Sequence, residues 1–91
     1  MSKLDTFTPQ RVEYIPEELL EGVLYISERF ETAVHRCCCG CREEVVTPLG
    51  AGGWTLTRDG EVVTLQPSIG NQQFACRSHY WLRANRVVWC Q

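Results

Sequence analysis

Five cysteines and a histidine fall into two short clusters, Cys37, Cys38, Cys39 and Cys41 in HRCCCGC and Cys76 and His79 in CRSH. Thiolates and imidazoles are the ligands that tetrahedral Zn²⁺ prefers, and two such knuckles a few dozen residues apart are how small domains grip it. Disulfides are the competing use of these sulfurs. The opening MSKLDTFTPQ has no apolar signal-peptide core, and no run of about 18 apolar residues occurs, so a cytoplasmic protein without a membrane span is expected. In a reducing compartment crowded cysteines serve as metal ligands more often than as bridges, and thiols this close suit one ion better than several separate disulfides. One Zn²⁺ is the expected cofactor.

The spacing leaves two ligand sets open. One joins Cys38-x-x-Cys41 to Cys76-x-x-His79, the common knuckle spacing; the other takes four thiolates, Cys37, Cys39, Cys41 and Cys76, with alternate residues on one side of an extended segment. The choice decides what remains for other chemistry. Four thiolates close a zinc site and make it structural, because a catalytic zinc needs an open position for water or substrate. Both histidines of the chain, His35 and His79, are then released, and each lies beside the cysteines. Serine becomes a nucleophile at neutral pH when a base stands next to it, and histidine is the usual base. Ser68 and Ser78 lie in or beside the same motifs. Ser78 and His79 are sequence neighbours, which on a strand point to opposite faces, so the pairings to expect are Ser78 with His35 or Ser68 with His79. In Pro67-Ser68-Ile69-Gly70-Asn71, Gly70 would let backbone N–H groups approach a substrate carbonyl, and Asn71 would orient a histidine or donate to an oxyanion. Each residue also has a plainer use: PSIGN as a structural turn, Ser78 as a hydrogen-bond donor to a thiolate, Cys38 as a buried spare thiol, Cys90 as a strand residue.

The elements that must position these groups read as strands. With 91 residues there is room for one domain with a small core, for which a metal is a natural staple. A hydrophobic share of 44% fits a packed globule, and a net charge of −2 with scattered arginines leaves no footprint for nucleic acid. Strands are expected over Gly22–Ser27, Thr32–Arg36 and Glu44–Pro48, then as hairpins Trp54–Arg58 with Glu61–Leu65 around Asp59-Gly60, and His79–Arg83 with Arg86–Trp89 around Ala84-Asn85. In the first hairpin Trp54, Leu56, Val63 and Leu65 should face inward, with Thr55, Thr57 and Thr64 outward. Pro16 to Gly22 has the Pro-first, Gly-last signature of a single helical turn. The expected fold is a small all-β zinc-binding domain of antiparallel hairpins with at most one short helix, made of a flexible N-terminus over residues 1–10 and one zinc-stabilised domain over residues 11–91. Of Tyr80 and Trp81, one should face away from the core as a platform for an extended peptide.

HRCCCGC, EEVVTPL, GWTLTRDGEVVTLQPSIGN and CRSHYWLRANRVVW, in that order, resemble a small bacterial domain family long catalogued without a function and encoded in bacterial ubiquitination-like operons. The resemblance covers about residues 12 to 90. It implies work on a ubiquitin-like protein alongside E1-like and E2-like enzymes, as a serine-type peptidase that processes or removes the modifier. It also implies the four-cysteine ligand set, since the family often has Pro where Cys38 stands, with His79 as the substitute ligand. Arg42 departs from the family's glycine after the last cysteine of the first cluster, so it must adopt a left-handed conformation or mark a different turn. A non-catalytic zinc-ribbon-like adaptor that binds the modifier or its enzymes is the alternative. A zinc metallopeptidase is a weaker one, because no His-Glu-x-x-His pattern is present.

Overall fold

A computed structural model describes residues 3–90. Eight strands form two four-stranded sheets: β1 (Thr8–Arg11), β2 (Val23–Ser27), β3 (Thr32–Arg36) and β4 (Glu44–Pro48) in one, β5 (Thr55–Asp59), β6 (Val62–Gly70), β7 (His79–Arg83) and β8 (Arg86–Trp89) in the other. Strands follow chain order in each sheet, and every pairing is antiparallel except β1 with β2. Single bridges close both sides of the sandwich, Thr6 to Arg86 and Leu49 to Trp54. No helix occurs among the described residues.

The alternation of apolar and polar residues explains the second sheet directly. Val63, Leu65, Ile69, Tyr80, Leu82 and Val87 are buried between the sheets, while Thr55, Thr57, His79, Arg83 and Val88 face out. The turn at Ala84-Asn85 has positive φ at both residues, 50° and 63°, the geometry that matches the twist of a two-residue hairpin. Asn85 suits the position twice over. Its Oδ1 accepts from Val63 N–H at 2.9 Å and its Nδ2 donates to the Glu61 carbonyl at 3.1 Å, tying the two hairpins together.

β2 does not alternate, because both of its faces are covered. Leu24 and Ile26 enter the main core, whereas Tyr25 packs with Val34, Leu19, Val12 and Ile15 on the opposite face. The cover is the chain from Val12 to Gly22, where a helical turn was expected; it forms bends and a turn instead. A single turn returns too few hydrogen bonds for the residues it fixes. Burial of Leu19 contributes about 2 kcal/mol. Gly22, expected to close that helical turn, instead leads into β2 at a φ of 84°.

Within the N-terminal stretch over residues 1–10, expected to be flexible, β1 begins at Thr8 and Phe7 is buried; residues 1 and 2 lie outside the described residues. Its hold is backbone pairing, Thr8 N–H to Gly22 C=O at 2.7 Å and Phe7 N–H to Asn85 C=O at 3.0 Å, which leaves no apolar pattern in the sequence. The expectation of a turn over Pro67 to Asn71 is corrected: β6 continues through Gly70. A register irregularity between Leu65 and Ile69 accommodates Pro67, which has no N–H to give a ladder.

Candidate functional site

The first cysteine cluster is the connection between β3 and β4. Arg36 pairs with Glu44, and Cys37 N–H donates to Glu43 C=O at 2.8 Å, so residues 37 to 43 close a tight knuckle. Gly40 and Arg42 turn it, with φ of 94° and 71°. Arg42 therefore takes the left-handed conformation that glycine adopts more readily. Cys76 arrives from the other sheet, on the loop between β6 and β7, which folds on Asn71 N–H to Ser78 C=O at 2.8 Å and Phe74 N–H to Asn71 C=O at 3.1 Å.

The sulfurs of Cys37, Cys39, Cys41 and Cys76 all lie within 4.8 Å of one another. Three of the separations are 3.5 Å for Cys37–Cys39, 3.6 Å for Cys41–Cys76 and 3.8 Å for Cys37–Cys76. A tetrahedral ion with metal–sulfur bonds of about 2.3 Å sets sulfurs about 3.8 Å apart. Four thiols with no bridge among them thus could hold one ion, joining a turn of one sheet to a turn of the other.

Neighbouring groups favour this set. Ser78 Oγ donates to Cys76 Sγ at 3.1 Å, and Asn71 Nδ2 to Cys37 Sγ at 3.5 Å. The thiols divide: burial works to raise Cys39, but hydrogen bonds from Ser78 and from the Cys41 backbone and sulfur outweigh it and hold it down to about 6, whereas burial above all raises Cys37 and pushes Cys41 up to about 12. Cys38 points the other way into the core, where burial above all pushes its thiol up to about 12. It is a packing residue. Cys90 is half-buried just past the end of β8; it is outside the four-sulfur group but lines a shared pocket with Cys39 and Cys76.

The two histidines occupy opposite environments. His79 is exposed, and its Nε2 lies 2.8 Å from Ser68 Oγ. The β6–β7 register explains the meeting: Gly70 pairs with His79, so Ser68, two residues along and on the same face, is its diagonal neighbour. Gly70 presents no side chain opposite the ring, and a Cβ there would stand 3.8 Å from His79 Cδ2. His35 is buried on β3, its Nε2 2.8 Å from the Tyr80 hydroxyl, and burial lowers it to about 4. Of the two pairings expected from sequence, Ser68 and His79 are brought together. Ser78 is engaged by Cys76 and His35 by Tyr80.

Tyr80 and Asn71 carry roles that sequence reasoning missed. Asn71, offered as a histidine-orienting or oxyanion group, is buried and turns its amide to Cys37 and to the Tyr80 hydroxyl, 3.4 Å away. Tyr80 is the inward member of the Tyr80–Trp81 pair and also accepts from Cys38 N–H at 3.3 Å. No pattern in the sequence marks either contact. Trp81 lies half-buried on the outer face with His79, its ring under the Arg83 guanidinium at 4.8 Å and Val88 across from it on β8.

The outer face carries a serine hydroxyl hydrogen-bonded to an exposed imidazole, on the strand pair whose connecting loop brings Cys76 to a cluster that could hold a metal. No helix among the described residues is long and apolar enough to cross a membrane. Comparison with curated proteins and with solved structures finds no match. A family model does match, over residues 11–90: the chain belongs to the BubE family, bacterial ubiquitination-like system serine protease.

Proposed function

We propose that this protein is a cytoplasmic peptidase that processes or removes a ubiquitin-like protein, with Ser68 as nucleophile, His79 as general base and a structural Zn²⁺ on Cys37, Cys39, Cys41 and Cys76. The observation that carries the reading is the 2.8 Å contact between Ser68 Oγ and His79 Nε2 on an exposed face. As base, His79 keeps its own proton on Nδ1 and offers the Nε2 lone pair. Ser68 Oγ forms a bond to the scissile carbonyl carbon while its proton passes to Nε2. The tetrahedral intermediate collapses, the bond to the leaving group breaks, and His79 returns that proton to the leaving nitrogen or oxygen. Water then repeats the sequence on the acyl-enzyme, releasing the carboxylate and restoring Ser68.

Zn²⁺ suits four thiolates, and its part is to lock the β3–β4 knuckle to the β6–β7 loop. Four sulfur ligands leave no open position, which speaks against the metallopeptidase alternative. The substrate's extended tail would lie across the outer face, with Trp81 and Val88 as its apolar floor. In the test, the protein is incubated with a ubiquitin-like precursor from its own operon, and products are read by mass spectrometry. Cleavage that Ser68→Ala abolishes is the expected result. Binding without cleavage would replace this reading by the adaptor, including one that docks E1-like or E2-like enzymes.

A further inference from the structure

The Tyr80 hydroxyl lies where the sulfur cluster meets the strands that carry Ser68 and His79. Three polar groups surround it in the core: Cys38 N–H at 3.3 Å, Asn71 Nδ2 at 3.4 Å and His35 Nε2 at 2.8 Å. The first two only donate, so the hydroxyl proton has one acceptor, the lone pair on His35 Nε2. The His35 proton is then on Nδ1, which is buried without a partner. His35 thereby fixes the rotation of the Tyr80 O–H, and the fixed oxygen receives the knuckle through Cys38 and the β6–β7 loop through Asn71. Asn71 also reaches Cys37 Sγ.

On the strand side, Tyr80 pairs with Ile69, and Gly70 pairs with His79. Tyr80 is thus next to His79 in the chain, and its partner Ile69 is next to Ser68. A slide of β7 along β6 at this rung changes the Ser68–His79 distance directly. The register is irregular between Leu65 and Ile69, so this end of the ladder rests on the Ile69–Tyr80 and Gly70–His79 pairs. A hydroxyl anchored on the opposite side of the sheet supplies a further constraint.

We infer that Tyr80 is a positioning residue for the Ser68–His79 pair, with His35 as the acceptor that orients its hydroxyl, so that the sulfur-bound knuckle sets the alignment of the reacting groups. This rests on the Ser68–His79 reading of the site. A fluorophosphonate probe tests it without a known substrate: Ser68 Oγ bonds to phosphorus, fluoride leaves, and His79 takes the serine proton. The metal-loaded full chain is used, and labelling rate, labelled position, metal content and the His79 imidazole resonances are measured. Tyr80→Phe should keep its metal and its fold, lose about 10- to 100-fold in labelling rate and shift the His79 resonances. His35→Gln, which preserves an acceptor near Nε2, should label close to the wild-type rate, and His35→Leu should behave as Tyr80→Phe. A Tyr80→Phe protein that melts lower yet labels Ser68 at the wild-type rate, with unmoved His79 resonances, overturns the inference alone. Failure of the wild-type chain to label at Ser68 overturns the underlying reading and the inference with it.

Discussion

Two hydroxyl–imidazole hydrogen bonds of the same length, 2.8 Å, stand on opposite faces of β7. His79 meets Ser68 at the surface; His35 meets Tyr80 in the core, where burial lowers the imidazole to about 4 and pushes the phenol well above its ordinary range. The geometry is alike and the chemistry is not. A buried imidazole that resists protonation, beside a phenol that resists ionisation, has no substrate to reach and no easy proton to move. The exposed pair stands where a substrate could reach it. Distance alone therefore does not identify a nucleophile and base; access and the ease of proton transfer do. In the proposed reading the exposed pair serves turnover and the buried pair holds the strands in register.

Removal of the metal should break both pairs at once. In small metal sites the binding free energy, about 10–16 kcal/mol for zinc-finger peptides, is largely folding free energy. Chelation, or Cys76→Ala, should abolish the cooperative melting transition seen by circular dichroism along with all activity. A metal-free chain melting cooperatively at the same temperature would refute the staple.

Ser68→Ala should break only the exposed pair. We expect a loss of about 10³-fold or more in cleavage rate, with metal content and melting temperature unchanged, and a similar loss for His79→Ala, since the members of such a unit fail together. Ser78→Ala sharpens the contrast from the other side. It removes the hydrogen bond to Cys76 Sγ and should weaken metal affinity about 10- to 100-fold in chelator competition, while the metal-loaded protein turns over at nearly the wild-type rate. Cys90→Ala, outside the four-sulfur group, should change stability by less than about 0.5 kcal/mol in urea titration.

Much of this was legible in the sequence, for reasons tied to particular residues. Alternation and turn chemistry located β4 and the hairpin at Ala84-Asn85, because these strands bury one face and the turn uses residues that tolerate positive φ. β3, buried on both faces like β2, was legible from the short turn that follows β2. The cysteine cluster was legible because thiols this dense have few other uses. β1 was hidden, since it is held through its backbone and leaves its side chains mostly in solvent. The extent of β6 was hidden by Pro67 and Gly70, which speak for a turn until a register irregularity accommodates them. Choosing between Ser68 and Ser78 needed the diagonal across Gly70, a product of strand pairing that no local pattern encodes. The junction of Tyr80, Asn71 and His35 is tertiary in the same sense.

The most direct test of the central claim is to treat the metal-loaded chain with a fluorophosphonate probe and map the adduct by peptide mass spectrometry. The account predicts one adduct, on Ser68, lost in Ser68→Ala and His79→Ala and retained in Ser78→Ala. An adduct on Ser78, or labelling that survives the loss of His79, would contradict it.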